Sequence, residues 1–255
     1  MRESYLRSFS TSYNAVAIDF DGTLISLRSR GADPTSAIVR SLMACLESNL
    51  PLVVLTGRGR SLLRLRRLFG ESTQERVFYA MYNGSEILQG SSSDYVVRKP
   101  IRLRHTFLSL RRNPAFNKLV KRWSLRRASI QLIPRTRDKS FMDSLCDLTT
   151  NQLPSELVAR NSGYSVDVYP RTATKDRCLR IVNKLCGNSL RFLRIGDQGH
   201  EYGNDYELLS STGGFSVGTL SSDPYTCYPV LDEQGSRILG PRGTAYLLTR
   251  TFEIV

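Results

Sequence analysis

Apolar residues fall along this chain in short blocks separated by amphipathic stretches, which is the rhythm of alternating strands and helices. Ala15 to Ile18 is an uninterrupted apolar run ended by the turn pair Asp21-Gly22 and reads as a buried strand. Pro34-Thr35-Ser36 opens a helical pattern to about Glu47, with Ile38, Leu42 and Cys45 on one face. Leu52 to Leu55 and Val77 to Met81 are two more buried strands, with a basic helix expected from Arg60 to Phe69 between them. Strand and helix alternating at this spacing predict a parallel sheet with right-handed crossovers.

The rhythm changes after Asn83-Gly84. Segments 86–88 and 94–98 read as a hairpin, 103–125 as one or two helices around Pro114, and 129–133 as a strand. A helix over 139–152 and strands at 156–160 and 164–169 follow. The α/β rhythm then resumes: helix 175–185, strand 191–195, short helix 204–210, strand 214–217 and terminal helix 242–252. The expected architecture is an α/β parallel-sheet core formed by residues 1–85 and 169–255, interrupted by an α+β insert at 86–168. No internal repeat or low-complexity segment is present.

Four polar elements interrupt this pattern at strand ends or helix starts. Asp19-Phe20-Asp21-Gly22-Thr23 follows the first strand, placing two carboxylates at the carboxyl edge of the sheet, where such sheets bind ligands. Thr56-Gly57-Arg58 follows the second strand and supplies a hydroxyl, a closely approachable backbone N–H and a helix start, a cradle for an oxyanion. Lys175 opens a helix and offers a fixed ammonium that neutralises a phosphate and a nucleophile. Gly196-Asp197, with Asn204-Asp205 beyond it, adds carboxylates at another strand end, an oxygen-rich set suited to a hard cation.

In this order the four elements resemble the haloacid dehalogenase-like hydrolase superfamily. The insert entered near Asn83 is similar to the type II cap of its Cof-like and sucrose-phosphatase-like branch. The resemblance implies a Rossmann-like core with a cap domain and an Mg²⁺-dependent phosphatase working through an aspartyl-phosphate. It implies Asp19 as nucleophile, Asp21 as acid/base, and Thr56 and Lys175 as phosphate-binding groups. It also implies Asp19, Asp21 and Asp197 around the metal, with Asp205 expected behind them or reaching it through water; Gly57 and Arg58 of the cradle and Asn83 at the junction with the insert are the expected substrate contacts. Aspartate at position 21 argues against the ATPase branch, which carries threonine there. One departure from the branch pattern GDxxND is the four extra residues between Asp197 and Asn204. They are expected to bulge outward, carrying His200 and Glu201 on a solvated loop.

Composition narrows the surroundings of this chemistry. The net charge of +13 favours anionic partners. Arg98 to Arg127 contains eleven Arg or Lys and no Asp or Glu. A small phosphorylated substrate, such as a sugar phosphate, is the first expectation. A nucleotide or nucleic-acid end bound by the basic insert is the second, and a sugar phosphomutase, which shares this cap type, is the third. Trp123 is read as core, with stacking on a base as the alternative. A second basic cluster at Arg58, Arg60, Arg64, Arg66 and Arg67 is expected to face solvent apart from Arg58. The five cysteines form no CxxC pair and read as reduced, mostly buried thiols. No apolar run has membrane-spanning length and no signal-peptide block precedes the first strand, so a cytoplasmic protein is expected.

Overall fold

The structure is a computed structural model and describes residues 2–29, 31–98 and 102–253. Its strands are β1 (Ala15–Asp19), β2 (Leu52–Leu55), β3 (Val77–Met81), β4 (Glu86–Gln89), β5 (Tyr95–Arg98), β6 (Val120–Leu125), β7 (Ile130–Pro134), β8 (Leu157–Asn161), β9 (Val166–Pro170), β10 (Phe192–Gln198), β11 (Gly214–Thr219) and β12 (Tyr228–Pro229). Its helices are α1 (Arg2–Ser10), α2 (Ser36–Glu47), α3 (Glu71–Gln74), α4 (Arg104–Arg112), α5 (Lys139–Thr150), α6 (Lys175–Leu185), α7 (Tyr206–Leu209) and α8 (Gly240–Phe252).

Eight strands form one sheet in the order β12-β11-β10-β1-β2-β3-β4-β5. The pairs from β12 to β3 are parallel, and β4 and β5 are antiparallel additions at one edge. Strand alternation sorts the core between the two faces. Val16 and Ile18 pack with Ile38, Leu42, Leu247 and Leu248 beneath α2 and α8. Ala15 and Ala17 pack with Cys178, Leu179, Val182 and Leu208 beneath α6 and α7. Helices on both faces leave the carboxyl ends of β1, β2 and β10 open along one edge.

The second sheet is antiparallel, in the order β6-β7-β9-β8, with α4 and α5 packed on one face. Ile130, Leu132, Val166 and Val168 point to those helices, so Gln131, Ile133, Asp167 and Tyr169 occupy the opposite face. This face looks toward the open edge of the large sheet. Gln131, Asp167 and Tyr169 are all buried there.

Several elements differ from expectation. The hairpin of β4 and β5, read as the opening of the insert, pairs with β3 and extends the large sheet. The cause is the sharp turn at Tyr82-Asn83-Gly84, three consecutive residues with positive φ, which returns the chain antiparallel beside β3. The stretch expected to be helical up to residue 125 ends in strand β6. A register shift between Val120 and Arg122 lets Val120 and Trp123 face inward at a spacing of three, which imitates a helical face. Residues 60–68 form a 3₁₀ helix, whose three-residue turn puts Leu62 and Leu65 in the core. Helix α1 had no sequence signal; Tyr5 and Phe9 seat it against Phe215. In the basic stretch 98–127, residues 99–101 lie outside the described residues. Among the described residues no helix is long and apolar enough to cross a membrane. Cys45, Cys146, Cys178 and Cys227 are buried and unpaired by disulfide, and burial pushes their thiols up.

Candidate active site

Three strand ends and one helix start converge at the open edge. Asp19 is the last residue of β1 and is almost fully buried. Lys175 is the first residue of α6, a helix capped by the Thr174 side chain, which accepts from the Arg177 amide. The Lys175 ammonium is buried between two carboxylates, with Nζ 2.5 Å from Asp19 Oδ1 and 2.5 Å from Asp205 Oδ1. Asp205 Oδ2 accepts from the amides of Asp197 at 3.1 Å and Gln198 at 3.0 Å. Both oxygens of Asp205 are thus committed to shaping the site. Asp197 lies near the end of β10 and accepts at Oδ2 from the Gln198 side chain at 2.7 Å.

Oxygens of Asp19, Asp197 and Asp205 lie within 4.8 Å of one another, and all three residues are buried. Three carboxyl groups share one ammonium in a dry site, so full ionisation would leave two negative charges unbalanced. Burial pushes Asp19 up to about 8, with repulsion from Asp205 adding to the rise and Lys175 opposing it. Burial, then Asp19 and Asp205, raise Asp197 well above the ordinary carboxylate range. For Lys175, burial alone favours the neutral amine, but the attraction of Asp19 and Asp205 outweighs it and holds the proton more firmly. An all-oxygen donor set with this charge deficit suits a hard divalent cation.

Gly22 makes the cluster possible. It adopts φ +88°, and a Cβ there would lie 2.2 Å from Asp197 Oδ2. Only a glycine lets the turn after Asp19 pass this close to the carboxylate on β10.

The Asp21 side chain is not among the three carboxylates that lie within 4.8 Å of one another, although its charge acts on Asp19. The Arg58 guanidinium holds Asp21 in a two-point ion pair, Nε donating to Oδ2 at 2.7 Å and Nη2 to Oδ1. Expected among the metal ligands, the Asp21 side chain is instead turned toward the loop after β2. Thr56, wholly buried, begins that loop, and its Oγ1 accepts from the Arg58 amide at 3.0 Å.

The same loop meets the second sheet. Arg126 donates from Nη1 to Gly57 O at 3.2 Å and from Nη2 to Gln131 Oε1 at 2.6 Å. Gln131 donates to Ser165 Oγ at 2.8 Å, and Ser165 donates to Asp167 Oδ1 at 3.1 Å. Asp167 Oδ2 stands 3.3 Å from the position of a Cβ on Gly57. Asn83, at the entrance to β4, is buried, with its amide 3.7 Å from the same point. Neither polar atom of that amide has a hydrogen-bond partner. A buried amide left unsatisfied beside a phosphate-type cradle has the placement expected of a group that meets a ligand.

The loop with four extra residues is not a solvated bulge. His200 is buried, with Nδ1 3.0 Å from Thr219 Oγ1 and Nε2 3.2 Å from Asp143 Oδ1 on α5. Asn161 N donates to Tyr202 O at 2.7 Å, and Asn204 N donates to Asn161 O at 2.9 Å. The insertion therefore ties the Asp197 strand end to the second sheet. Glu201 is exposed and turns to Ser221 and Ser222, whose hydroxyls hold its carboxyl at about 2. Neither residue enters the carboxylate cluster.

Arg126, Gln131 and Asp167 were missed in the sequence because their partners lie on distant segments. Trp123 is core, meeting Phe107 and Phe116 edge-on at 6.2 and 5.7 Å. The cluster after Thr56 is largely structural: Arg64 donates to the carbonyls of Gly31 and Ala32, Arg66 to Ser92 O, and Arg67 pairs with Asp33.

No protein-family profile matches the chain, and no curated protein matches its sequence. Solved structures do match. A HAD/COF-like hydrolase from Plasmodium vivax superposes at TM-score 0.68 with 16% identity, covering 98% of this chain and 99% of that one. The C-terminal domain of trehalose-6-phosphate phosphatase from C. albicans gives 0.66 with 14% identity, covering 100% and 98%. IMP-nucleotidase from Plasmodium falciparum gives 0.66 with 13% identity, covering 97% and 71%. The chain has the haloacid dehalogenase-like hydrolase fold.

Proposed function

We propose that the protein is an Mg²⁺-dependent phosphatase that hydrolyses a small phosphate monoester, such as a sugar phosphate, through a phosphoryl-Asp19 intermediate. The observation that carries this reading is the buried pairing of Asp19 with Lys175 beside Asp197 and Asp205, at the same sheet edge as Thr56.

The residues divide the work as follows. Asp19 attacks phosphorus, and the bond to the leaving oxygen breaks. Asp21 supplies the proton that the leaving oxygen takes up, then receives one from the water that attacks phosphorus and releases phosphate and free Asp19. In the resting protein Arg58 holds Asp21 as a carboxylate through its two-point pair, so Asp21 leaves Arg58 when it takes up the proton that it delivers to the leaving oxygen. Lys175 offsets the charge of the incoming phosphoryl group, and Thr56, which accepts from a backbone amide, keeps its hydroxyl hydrogen for a phosphoryl oxygen. Asp19 and Asp197 would hold the cation, with Asp205 placing the backbone and Lys175 around them. When bound, Mg²⁺ supplies the positive charge that lets a carboxylate approach a phosphate dianion. Asn83, Gly57 and the second sheet, acting as a cap, would meet the leaving group.

Phosphate release from a panel of sugar phosphates, nucleotides and phosphorylated oligonucleotides tests this reading, run with Mg²⁺, with EDTA and with Asp19→Asn. Release that needs Mg²⁺ and disappears in Asp19→Asn is the expected result. Release that persists in Asp19→Asn overturns the assignment of Asp19.

A further inference from the structure

A cleft that meets the site at Arg58 runs away from it along a line of cations. Its inner part, about 520 Å³, is lined by Arg58, Tyr82, Arg122, Arg126 and Tyr164. That volume lies in the range that holds a small organic ligand. Arg122 and Tyr164 also border a second hollow of about 450 Å³, which continues over Lys121, Arg135 and Arg137. Among the described residues no carboxylate lines either part.

These cations differ in their commitments. Arg58 is neutralised by Asp21, and Arg126 is spent on Gly57 O and Gln131. Among the described residues no carboxylate pairs with Lys121, Arg122, Arg135 or Arg137. The nearest acid in sequence, Asp138, caps α5 by accepting from the Phe141 amide at 3.1 Å. Arg137 stacks on the Tyr164 ring at 4.1 Å from its centroid, which fixes its position at the wall of the outer hollow.

The cations also come from separate elements, β6 for Lys121 and Arg122 and the segment after β7 for Arg135 and Arg137. The fold therefore concentrates like charge with which no carboxylate among the described residues forms an ion pair, at an energetic cost that a bound anion removes. A leaving group bearing only hydroxyls would not relieve it. Guanidinium groups bind phosphate or carboxylate oxygens at two points, which adds geometric selection to attraction.

Building on the phosphatase reading, we infer that the leaving group carries a second phosphate or carboxylate, bound in the outer hollow by Arg122 and Arg137 with Lys121 and Arg135 around it. The scissile phosphate would sit at Asp19 and the remote anion beyond Tyr164, so the basic surface sets the substrate's charge pattern rather than collecting polyanions at large.

Calorimetric binding to Asp19→Asn, which preserves each ligand, tests this directly. Glucose 1,6-bisphosphate, fructose 1,6-bisphosphate and adenosine 3′,5′-bisphosphate are each compared with the corresponding monophosphate. At least one bisphosphate should bind tenfold or more tightly than its monophosphate, and Arg122→Gln/Arg137→Gln in the same background should reduce that ratio below threefold. The inference is overturned if no bisphosphate is preferred, or if the preference survives the double substitution. Hydrolysis of p-nitrophenyl phosphate by the native protein, which needs no second anion, separates the two ideas. Turnover without bisphosphate preference rejects the subsite alone. Bisphosphate preference without Mg²⁺-dependent turnover of any ligand keeps the subsite and rejects the phosphatase reading.

Discussion

Replacing Gly22 by alanine is the most economical way to disturb the site without touching a functional group. The added Cβ would stand 2.2 Å from Asp197 Oδ2, 2.4 Å from its Cγ and 3.0 Å from Oδ1. Ordinary contact for carbon is about 3.5 Å, so Asp197 has to retreat by about 1 Å or the turn has to open. Gly22 also holds φ +88°, where an alanine costs about 1–2 kcal/mol. Asp197 cannot retreat freely, because its amide and that of Gln198 are tied to Asp205. A displacement of that size at a reacting centre costs about a hundredfold in rate. For a chain of this size the backbone cost lowers Tm by roughly 2–8 °C. The assay is Mg²⁺-titrated phosphate release with calorimetric unfolding alongside. Gly22→Ala should show kcat reduced about a hundredfold and a raised half-saturating Mg²⁺ concentration, while remaining folded. A kcat within about threefold of the native protein, with unchanged Mg²⁺ dependence, would refute the role assigned to this close approach.

Other consequences follow from the same geometry. Burial, then repulsion from Asp205, pushes Asp19 up to about 8 from 3.8 for the free carboxyl, so the folded state binds more protons between those values. Stability in EDTA should therefore fall as pH rises from about 4 to about 8, and Mg²⁺ should flatten that slope, as read by thermal unfolding across pH. Lys175→Met leaves Asp19 and Asp205 facing each other without their shared cation. It should cost about 3–5 kcal/mol of stability in denaturant titrations without metal, partly restored by Mg²⁺, and lower kcat by about 10²–10³-fold. His200→Ala removes two buried hydrogen bonds linking Thr219 to Asp143. It should destabilise by about 1–3 kcal/mol and weaken Mg²⁺ binding through the loosened Asp197 loop, measured by unfolding and by metal titration.

The parts of this molecule that were legible in advance are those whose chemistry is local. Asp19, Thr56 and Asp197 each follow a short apolar strand, so strand ends and polar residues coincide in the sequence. Lys175 was legible as the start of the helical stretch 175–185, although only the fold shows that it is capped by Thr174 and lies between Asp19 and Asp205. What escaped is non-local or depends on an irregularity. The register shift in β6 disguised a strand as a helical face, and the positive-φ turn at Tyr82 to Gly84 moved a hairpin from one sheet to the other. The chain from Arg126 through Gln131 and Ser165 to Asp167 joins separate strands and loops of the second sheet to Gly57, a link that no spacing rule encodes. The extra residues after Asp197 looked like a tolerated loop insertion, yet His200 within them is buried and bonded to two elements.

The central claim is that Asp19 itself carries the phosphoryl group during turnover. Rapid acid quenching of the protein with a labelled phosphate monoester and Mg²⁺, followed by peptide mapping, tests it most directly. The label should appear on the peptide containing Asp19, be absent in EDTA, and be absent from Asp19→Asn. Steady turnover with no covalent label, or label on a different residue, would contradict the account.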